Sequence, residues 1–597
     1  MGDEGFSFLR RRWRMRIAGS ALHESLCEEM GLGAYFAPLL AFRKLDSVEE
    51  ARRFFMPRLQ DLVDPSGLKD MDAAVARLIR ALEKGEKLAV FGDYDVDGAT
   101  SSALLVRYFR LLGVELAVYI PDRMKEGYGP NAEAFRILKE QGVSLIITVD
   151  CGISAHEPIR LAAGWGLDCI VTDHHQPGDT LPDAVAVINP NRKDDSFPCK
   201  ELAGVGVAFY LAVALNRALR ETGWFADRPE PDLKRLLDLV AVGTIADVAS
   251  LTGLNRLLVA SGLRVLSEGS NTGLRAMMER LSLPVGQEGA SLDSGMVGFQ
   301  IGPRINAGGR LGRGDLGSEL LYTEDAERAR EISAILDRSN QERKQLEEHI
   351  FQAALQQILD QGNPEERYGL TAVGEGWHPG VVGIVASRLA ERFCRPTIII
   401  SLDAQGIGKG SGRSIPGIDL YAAIGEQSAS LIQFGGHVAA AGLTITREQI
   451  ATFCEGFERT LRITNPPDLF ESTLVMDGVL PVSAVGPELL QQLQRLQPFG
   501  RGNPEPVFLL PRVRVVMPRN MKERHVGCQL CDESGNTVNG VAFRCLPGPL
   551  GRGLLTSRQP VDVVGTLRVN RYRERDTIQM VISDARPAST SLLGAGR

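Results

Sequence analysis

No apolar run in this 597-residue chain approaches the ~18 residues that a bilayer-crossing helix needs, so no membrane span is expected. A disulfide framework is missing as well. The nine cysteines are odd in number and scattered from Cys27 to Cys545, which suits a reducing compartment. Cys528 and Cys531 stand at CxxC spacing but no second CxxC or CxxH follows, so a zinc ribbon is not expected. Arg10, Arg11, Arg12, Arg14 and Arg16 surround Trp13, yet neither an apolar stretch nor a small-residue cleavage site follows. The expected location is therefore cytoplasmic. Excess positive charge is also absent: a net charge of −7 argues against a chain that coats nucleic acid with its whole surface, and leaves local basic patches open. There is no internal repeat to indicate a solenoid.

What is present is an ordinary soluble composition, 44% hydrophobic and 24% charged, in a chain too long for one core. From Lys87 to Asn189, short aliphatic runs alternate with helix-like segments: Leu88–Phe91, Leu116–Ile120, Leu145–Val149, Cys169–Thr172 and Val185–Ile188. This pattern predicts a mostly parallel sheet with covered faces. Asp93, Asp150 and Asp173 each closely follow one of these runs, and the carboxyl ends of strands line the ligand crevice of an open α/β sheet. Three sequence-distant carboxylates are thus expected to converge.

The first of them opens the triplet Asp93-Tyr-Asp95-Val-Asp97-Gly98, a cation site in outline. A calcium-binding EF-hand loop would match through Gly98 but requires a Glu where Leu104 stands, and it would follow a helix. Thr100, Ser101 and Ser102 read as caps of the helix that should follow. Asp173-His174-His175 places an imidazole pair behind a carboxylate, suited to metal ligation or simply to a polar loop. Asp173 itself can orient the histidines, cap a helix, or do both.

Further along, Asp232–Ala246 carries aliphatics at helical spacing before Asp247, and Gly302–Gly312 reads as a glycine-rich basic loop. The glycine-free, highly charged stretch Thr323–Gln361 predicts one long helix, ended by Gly362-Asn-Pro364. A second α/β segment spans Tyr368–Ile463, Pro466-Pro467 marks a linker, and the alternating runs Val513–Val516, Val538–Phe543, Val561–Val569 and Thr577–Ile582 predict a small β-barrel.

Taken in order, Asp93-x-Asp-x-Asp-Gly98, Val149-Asp-Cys-Gly152, Asp173-His-His175 and Thr244-Ile-Ala-Asp-Val248 resemble the motifs of the DHH phosphoesterase superfamily. Gly376-Trp-His-Pro-Gly-Val-Val-Gly383, Gly410-Ser-Gly-Arg-Ser414 and Gly435-Gly-His-Val-Ala-Ala-Ala-Gly442 resemble its DHHA1 domain. With Gly302-Pro-Arg-Ile-Asn-Ala307, Gly308-Gly309-Arg310 and Pro498-Phe-Gly-Arg-Gly-Asn-Pro504, the chain resembles the RecJ family of single-strand-specific 5′ to 3′ exonucleases from about Trp13 to Ser583. The family usually has Ala at the position of Gly308.

That resemblance implies a centre of two divalent ions, Mn²⁺ or Mg²⁺. Asp97, Asp150, His174 and Asp247 match the shell of one ion; Asp95, with Asp150 bridging, matches the other, and Asp93 is an added member. Asp173 is expected to orient the histidines and His175 to meet a substrate phosphate. Arg304, Asn306, Arg310, Ser411, Arg413 and His437 are the expected substrate contacts. His378 either touches substrate or braces its own turn. The barrel resembles an OB fold. Its basic segment Arg512, Arg514, Arg519, Lys522 and Arg524 reads either as a single-strand contact or as a solvated face. Glu574 stands where relatives commonly carry glycine.

The expected organisation is an α/β protein. Residues 1–70 are a segment packing on the DHH domain, 71–320 the DHH domain with its parallel sheet, 321–362 a connecting helix, 363–464 the DHHA1 domain, 465–588 an OB-fold domain and 589–597 a tail. The implied activity is release of 5′-mononucleotides from single-stranded DNA threaded between two lobes, in DNA repair and recombination. Implied partners are single-strand-binding protein and a RecQ-type helicase. Two alternatives remain: a phosphodiesterase for short oligonucleotides, whose family members lack the barrel, and a catalytically silent replication scaffold, which has no need of the whole shell.

Overall fold

The computed structural model describes residues 7–122, 126–127, 129–287, 289, 291–310, 314–572 and 575–588. The side chains of Arg310, Arg571, Tyr572, Arg575 and Asp576 fall outside that description, as do Glu574 and the tail 589–597. The chain divides into two compact units, one of residues 52–343 with 497–504, the other of 1–51, 344–496 and 505–597.

The division corrects one expectation. Strand β1 (Arg12–Met15) pairs in parallel with Thr473–Met476, so residues 7–51 belong with the C-terminal segments and not with the DHH domain. Arg16 is part of that structure, pairing with buried Asp477 at 2.7 Å, and Arg12 pairs with Glu471 at 2.5 Å.

The first unit is built on five parallel strands: β2 (Leu88–Gly92), β3 (Leu116–Tyr119), β4 (Leu145–Val149), β5 (Asp168–Thr172) and β6 (Ala186–Ile188), in the order β3-β2-β4-β5-β6. Leu88 and Val90 enter one core while Ala89 and Phe91 enter another, as the two-residue period of a strand requires when both faces are covered. The order reverses between β2 and β4, and a crevice opens at such a switch point beyond the strand ends. Helices Val96–Leu111, Gly204–Glu221 and Leu237–Ala246 pack on the core that contains Leu88.

The segment expected to be a basic loop is a helix, Gly302–Arg310, entered through a π turn at Val297–Ile301. Pro303 comes directly after the π turn, where the i→i−4 ladder is already interrupted. Gly309 has a structural reason: a Cβ there would lie 2.8 Å from the Tyr94 carbonyl oxygen, so glycine lets the helix end close on the aspartate triplet. The long helix follows at Ala326–Asp360.

In the other unit, β7 (Leu370–Glu375), β8 (Thr397–Leu402), β9 (Ile407–Arg413), β10 (Gln433–Gly436) and β11 (Ala440–Thr446) form a sheet in the order β10-β11-β9-β8-β7, parallel only between β7 and β8. β12 (Thr473–Met476) is the partner of β1. After β13 (Gly478–Val479) come β14 (Phe508–Met521), β15 (His525–Cys531), β16 (Thr537–Ala542), β17 (Val561–Tyr572) and β18 (Arg575–Pro587). Pairing of β14 with both β15 and β17 closes these last five strands into a barrel, which removes the sheet edges. Cys528 and Cys531 are three residues apart on β15 and so face opposite sides of it. No helix among the described residues is long and apolar enough to cross a membrane.

Candidate metal centre

β2 runs directly into the aspartate triplet. The helix that follows starts at Val96, and its cap is Asp95, whose Oδ1 accepts from the Asp97 and Gly98 N–H groups at 2.9 and 3.1 Å. Thr100, Ser101 and Ser102 therefore lie inside the helix, contrary to their expected role as caps; Thr100 donates back to the Val96 carbonyl at 2.8 Å. Gly98 is obligatory because a Cβ there would stand 2.4 Å from the Asp93 carbonyl oxygen.

Asp97 is fully buried, and its two oxygens accept from the N–H groups of Gly204 (2.7 Å) and Val205 (2.8 Å) at the start of the helix Gly204–Glu221. A helix N-terminus carries partial positive charge, so this carboxylate is oriented by backbone. Asp150, straight after β4, holds φ 58° in the left-handed region and is also buried. Asp247 caps the end of Leu237–Ala246 and keeps an open side.

Behind β5, Asp173 is buried and fully occupied. Oδ1 accepts from the backbone N–H groups of His174 (2.7 Å) and His175 (3.0 Å) and from His175 Nδ1 (2.7 Å), and Oδ2 from the Ile153 N–H (2.9 Å). No helix follows it, so the cap it makes is of a turn. Asn189 and Asn191 hold the carbonyls of His175 and His174 in turn. His174 Nε2 then sits 3.2 Å from Asp150 Oδ1, 3.8 Å from Asp97 Oδ2 and 3.9 Å from Asp247 Oδ2.

Three overlapping sets of donor atoms result, each within 4.8 Å: Asp97 with His174 and Asp247; Asp93 with Asp95 and Asp150; and Asp150 with His174 and His175. Asp150 and His174 each belong to two of them. Asp93 lies within donor distance of Asp95 and Asp150.

The electrostatics follow from this crowding. Burial first, then the charges of neighbouring aspartates, push Asp97 and Asp150 well above the ordinary carboxylate range. Burial and Asp95 push Asp247 to about 7, against an opposing pull from His175 and Arg501. Burial, together with the charge of His175, lowers His174 to about 4, so its imidazole is neutral and can ligate. His175 goes the other way, to about 9, chiefly through its bond to Asp173. Burial opposes ionisation of Asp173, but the His175 hydrogen bond and charge hold it below the usual value.

Asp150 Oδ1 and His174 Nε2 supply the test of fit for a cation. Both are buried, both lack a hydrogen-bond partner, and they face each other across 3.2 Å. Two acceptors so arranged, inside a ring of carboxylates, suit a hard or borderline divalent ion.

The remaining candidates divide in two groups. Arg304 on the helix Gly302–Arg310 is not an open phosphate arm: Nε pairs with Asp337 at 2.8 Å and Nη1 donates to the Gln300 carbonyl at 2.7 Å. Asn306 is half-buried on the same helix, and the Arg310 side chain lies outside the described residues. In the DHHA1 region, Arg413 donates to Ser411 Oγ (3.2 Å) and the Gly412 carbonyl, and Gly383 gives both side chains room. His437 lies exposed in the turn between β10 and β11, where its N–H and carbonyl both bond Ala440, the residue opposite Arg413 in register. Ser411, Arg413 and His437 thus gather at one end of that sheet. His378 caps the helix Pro379–Phe393 through Nδ1, accepting from the Gly380 N–H at 3.1 Å, so bracing its own turn is the role seen. On the barrel, Arg512 pairs with Glu533, whereas Arg514, Arg519, Lys522 and Arg524 are exposed along β14 and its hairpin.

Comparison with known proteins accords with this geometry. Three family models match: the DHH family N-terminal domain over residues 87–244, the DHHA1 domain over 366–462 and the RecJ OB domain over 476–584. The single-stranded-DNA-specific exonuclease RecJ of Salmonella typhimurium is 38% identical over 579 residues, covering 94% of this chain and 98% of that one. The chain belongs to the RecJ family. The Bacillus subtilis member is 36% identical over 96% of this chain and 71% of its own. Among solved structures, RecJ of Thermus thermophilus in complex with Mn²⁺ superposes with a TM-score of 0.79 at 31% identity, over 97% of this chain and 80% of that one.

Several residues at the RecJ-family centre carry no local signal. The N–H groups of Gly204 and Val205 and the bracing amides Asn189 and Asn191 depend on tertiary contacts; the segment 497–504, visible in the sequence as a motif, packs into the first unit only in the fold. Arg501 accepts the Leu251 N–H at its carbonyl (2.7 Å), and Phe499 accepts from Ser294 Oγ.

Proposed function

We propose that this protein is a metal-dependent exonuclease that degrades single-stranded DNA from the 5′ end to mononucleotides, in the cytoplasm, in repair and recombination. The observation that carries the reading is the sharing of Asp150 between two donor sets at the switch point of the sheet. It is supported by relatives named single-stranded-DNA-specific exonuclease and by a family structure bound to Mn²⁺ and another bound to Mg²⁺.

Asp97, Asp150, His174 and Asp247 would hold one ion, and Asp93, Asp95 and Asp150 the other. When bound, two such ions supply Lewis-acid polarisation of a phosphodiester and a template for in-line displacement. The protein's own part is to fix the donors: backbone N–H groups orient Asp97, and Asp173 turns the histidine pair. His175, raised to about 9, carries a proton at neutral pH and presents positive charge to an entering phosphate. Ser411, Arg413 and His437 form an anion-seeking group suited to a strand's terminal phosphate, and the exposed arginines of β14 suit its backbone. Single-strand-binding protein and a RecQ-type helicase are proposed partners.

The test is degradation of 5′-labelled and 3′-labelled DNA, single-stranded and duplex, with Mn²⁺, Mg²⁺ or chelator. Release of labelled mononucleotide from the 5′ end of single strands only, and only with metal, is expected. Cleavage starting at the 3′ end, or persisting in chelator, would refute the reading.

A further inference from the structure

The π turn Val297–Ile301 buries Val297 and Ile301 and leaves the ring between them in water. Phe299 is 82% exposed, the most exposed large apolar side chain among the described residues. A lone surface hydrophobe needs no explanation. This one has a setting.

Gly298 packs on Ile245 and Gly302 on Ala246: a Cβ on either would stand 3.5 and 3.4 Å from those side chains. Ile245 and Ala246 are the two residues before Asp247, so the turn lies against the helix end that presents this carboxylate. On the other side of Asp247, Val248 is 60% exposed and holds φ 58°. The left-handed region is costly for a β-branched residue, and such strain persists where the surrounding structure enforces it, often at functional sites. π turns cluster at functional sites as well. Two exposed apolar side chains thus stand on elements that meet the end of the helix bearing Asp247: Val248 directly after it, and Phe299 on the π turn packed against Ile245 and Ala246. Arg304 secures the arrangement by holding the Gln300 carbonyl, next to Phe299, while anchored on Asp337.

Single-stranded nucleic acid offers what such a ring can use, unstacked bases on a charged backbone, whereas a duplex keeps its bases paired and stacked inside. We propose that Phe299 is a stacking platform for a nucleobase of the substrate strand near the phosphate held at the metal centre. It is a specificity residue that favours single strands. The inference rests on the exonuclease reading above.

The experiment uses the full chain with Phe299→Ala, Phe299→Leu and Phe299→Trp. Degradation of 5′-labelled oligothymidylate with Mn²⁺ is read alongside binding of the same strands by fluorescence anisotropy in chelator. Base–aromatic stacking predicts that Phe299→Ala raises KM and Kd by about 5- to 100-fold. The kcat at saturation should change less, Phe299→Trp should restore affinity, and Phe299→Leu should not. A single abasic site walked in from the 5′ end should, at one position, weaken wild-type binding by the same factor and leave Phe299→Ala without further loss. Wild-type affinity in Phe299→Ala, or an equal loss at every abasic position, would overturn the proposal. Phe299-dependent binding without cleavage would refute the exonuclease reading and keep the platform; cleavage with Phe299-independent binding would do the reverse.

Discussion

The metal centre and the Ser411–Arg413–His437 group both collect polar side chains at the end of a sheet, but by opposite means. In the first, Asp97, Asp150 and Asp173 are buried, and backbone N–H groups fix Asp97 and Asp173. In the second, Ser411 and Arg413 are half-exposed, His437 is open to solvent, and the arginine leans on its own strand. A buried cluster of carboxylates must be neutralised, either by a bound cation or by protons, as their raised pKa values show. An exposed cationic group acts at a distance, by degree, and is weakened by salt. The difference separates residues expected to make chemistry from residues expected to hold a strand.

The sharpest break of this contrast is Asp150→Ala. It removes the shared carboxylate from both donor sets, and nuclease activity should fall by about 10⁴-fold, the scale seen when one member of a catalytic group is lost. Thermal unfolding adds a second reading: Mn²⁺ at 100 times its Kd should stabilise the wild type by about 2.7 kcal/mol. Asp150→Ala should show no such gain. Retained activity, or an unchanged metal-dependent shift in Tm, would sink the assignment.

Asp173→Asn comes next because it acts through the histidines. It keeps the shape but loses the charge that holds His175, and metal affinity or kcat/KM should fall by about 10- to 100-fold, as for other groups that orient ligands. Activity against Mn²⁺ concentration distinguishes this from a folding defect, since excess metal should recover part of the loss. Arg413→Gln belongs to the other region. Removing one phosphate contact should leave kcat near wild type, raise KM, and make the slope of log K against log salt shallower by about 0.7 for a single strand. An unchanged slope would exclude a phosphate role.

Much of the centre could be read along the chain because the Asp93 triplet, Asp150 and the Asp173-His-His run each come just after a strand whose aliphatic run is unmistakable, while Asp247 ends a helix of clear apolar spacing. The β-barrel was legible for the same reason, through period-two alternation. What could not be read has a physical pattern. Gly302–Arg310 looks like a loop because Pro303, Gly308 and Gly309 are poor helix formers, yet Pro303 follows directly on the π turn and Gly309 is the price of closeness to Tyr94. Thr100, Ser101 and Ser102 resemble caps because their hydroxyls are good ones, but Asp95 starts the helix a turn earlier. The pairing of Arg12–Met15 with Thr473–Met476 spans 461 positions and depends on no local period. Burial, the π turn and the Arg304–Asp337 pair arise from contacts between residues distant in sequence, which no local pattern encodes.

The smallest effect tests whether burial alone accounts for the raised carboxylates. Helix Leu237–Ala246 carries one at each end: Asp247 at the centre, and Asp238, fully buried, with the Arg107 guanidinium 3.9 Å away. Burial pushes Asp238 up from 3.8 to about 6 despite Arg107. A folded pKa above the unfolded one means that the native state binds more protons between those values, so stability falls as pH rises from about 4 to about 6 and stays lower above. Asp238→Asn removes that dependence. Relative to the variant, the wild type should lose about 3 kcal/mol across this window, with no change in metal affinity. Urea unfolding at pH 4, 5, 6 and 7 reads it. If the two curves ran parallel, Arg107 would have to hold Asp238 ionised in the folded state, and its guanidinium would count for more there than the pull of Arg501 does at Asp247.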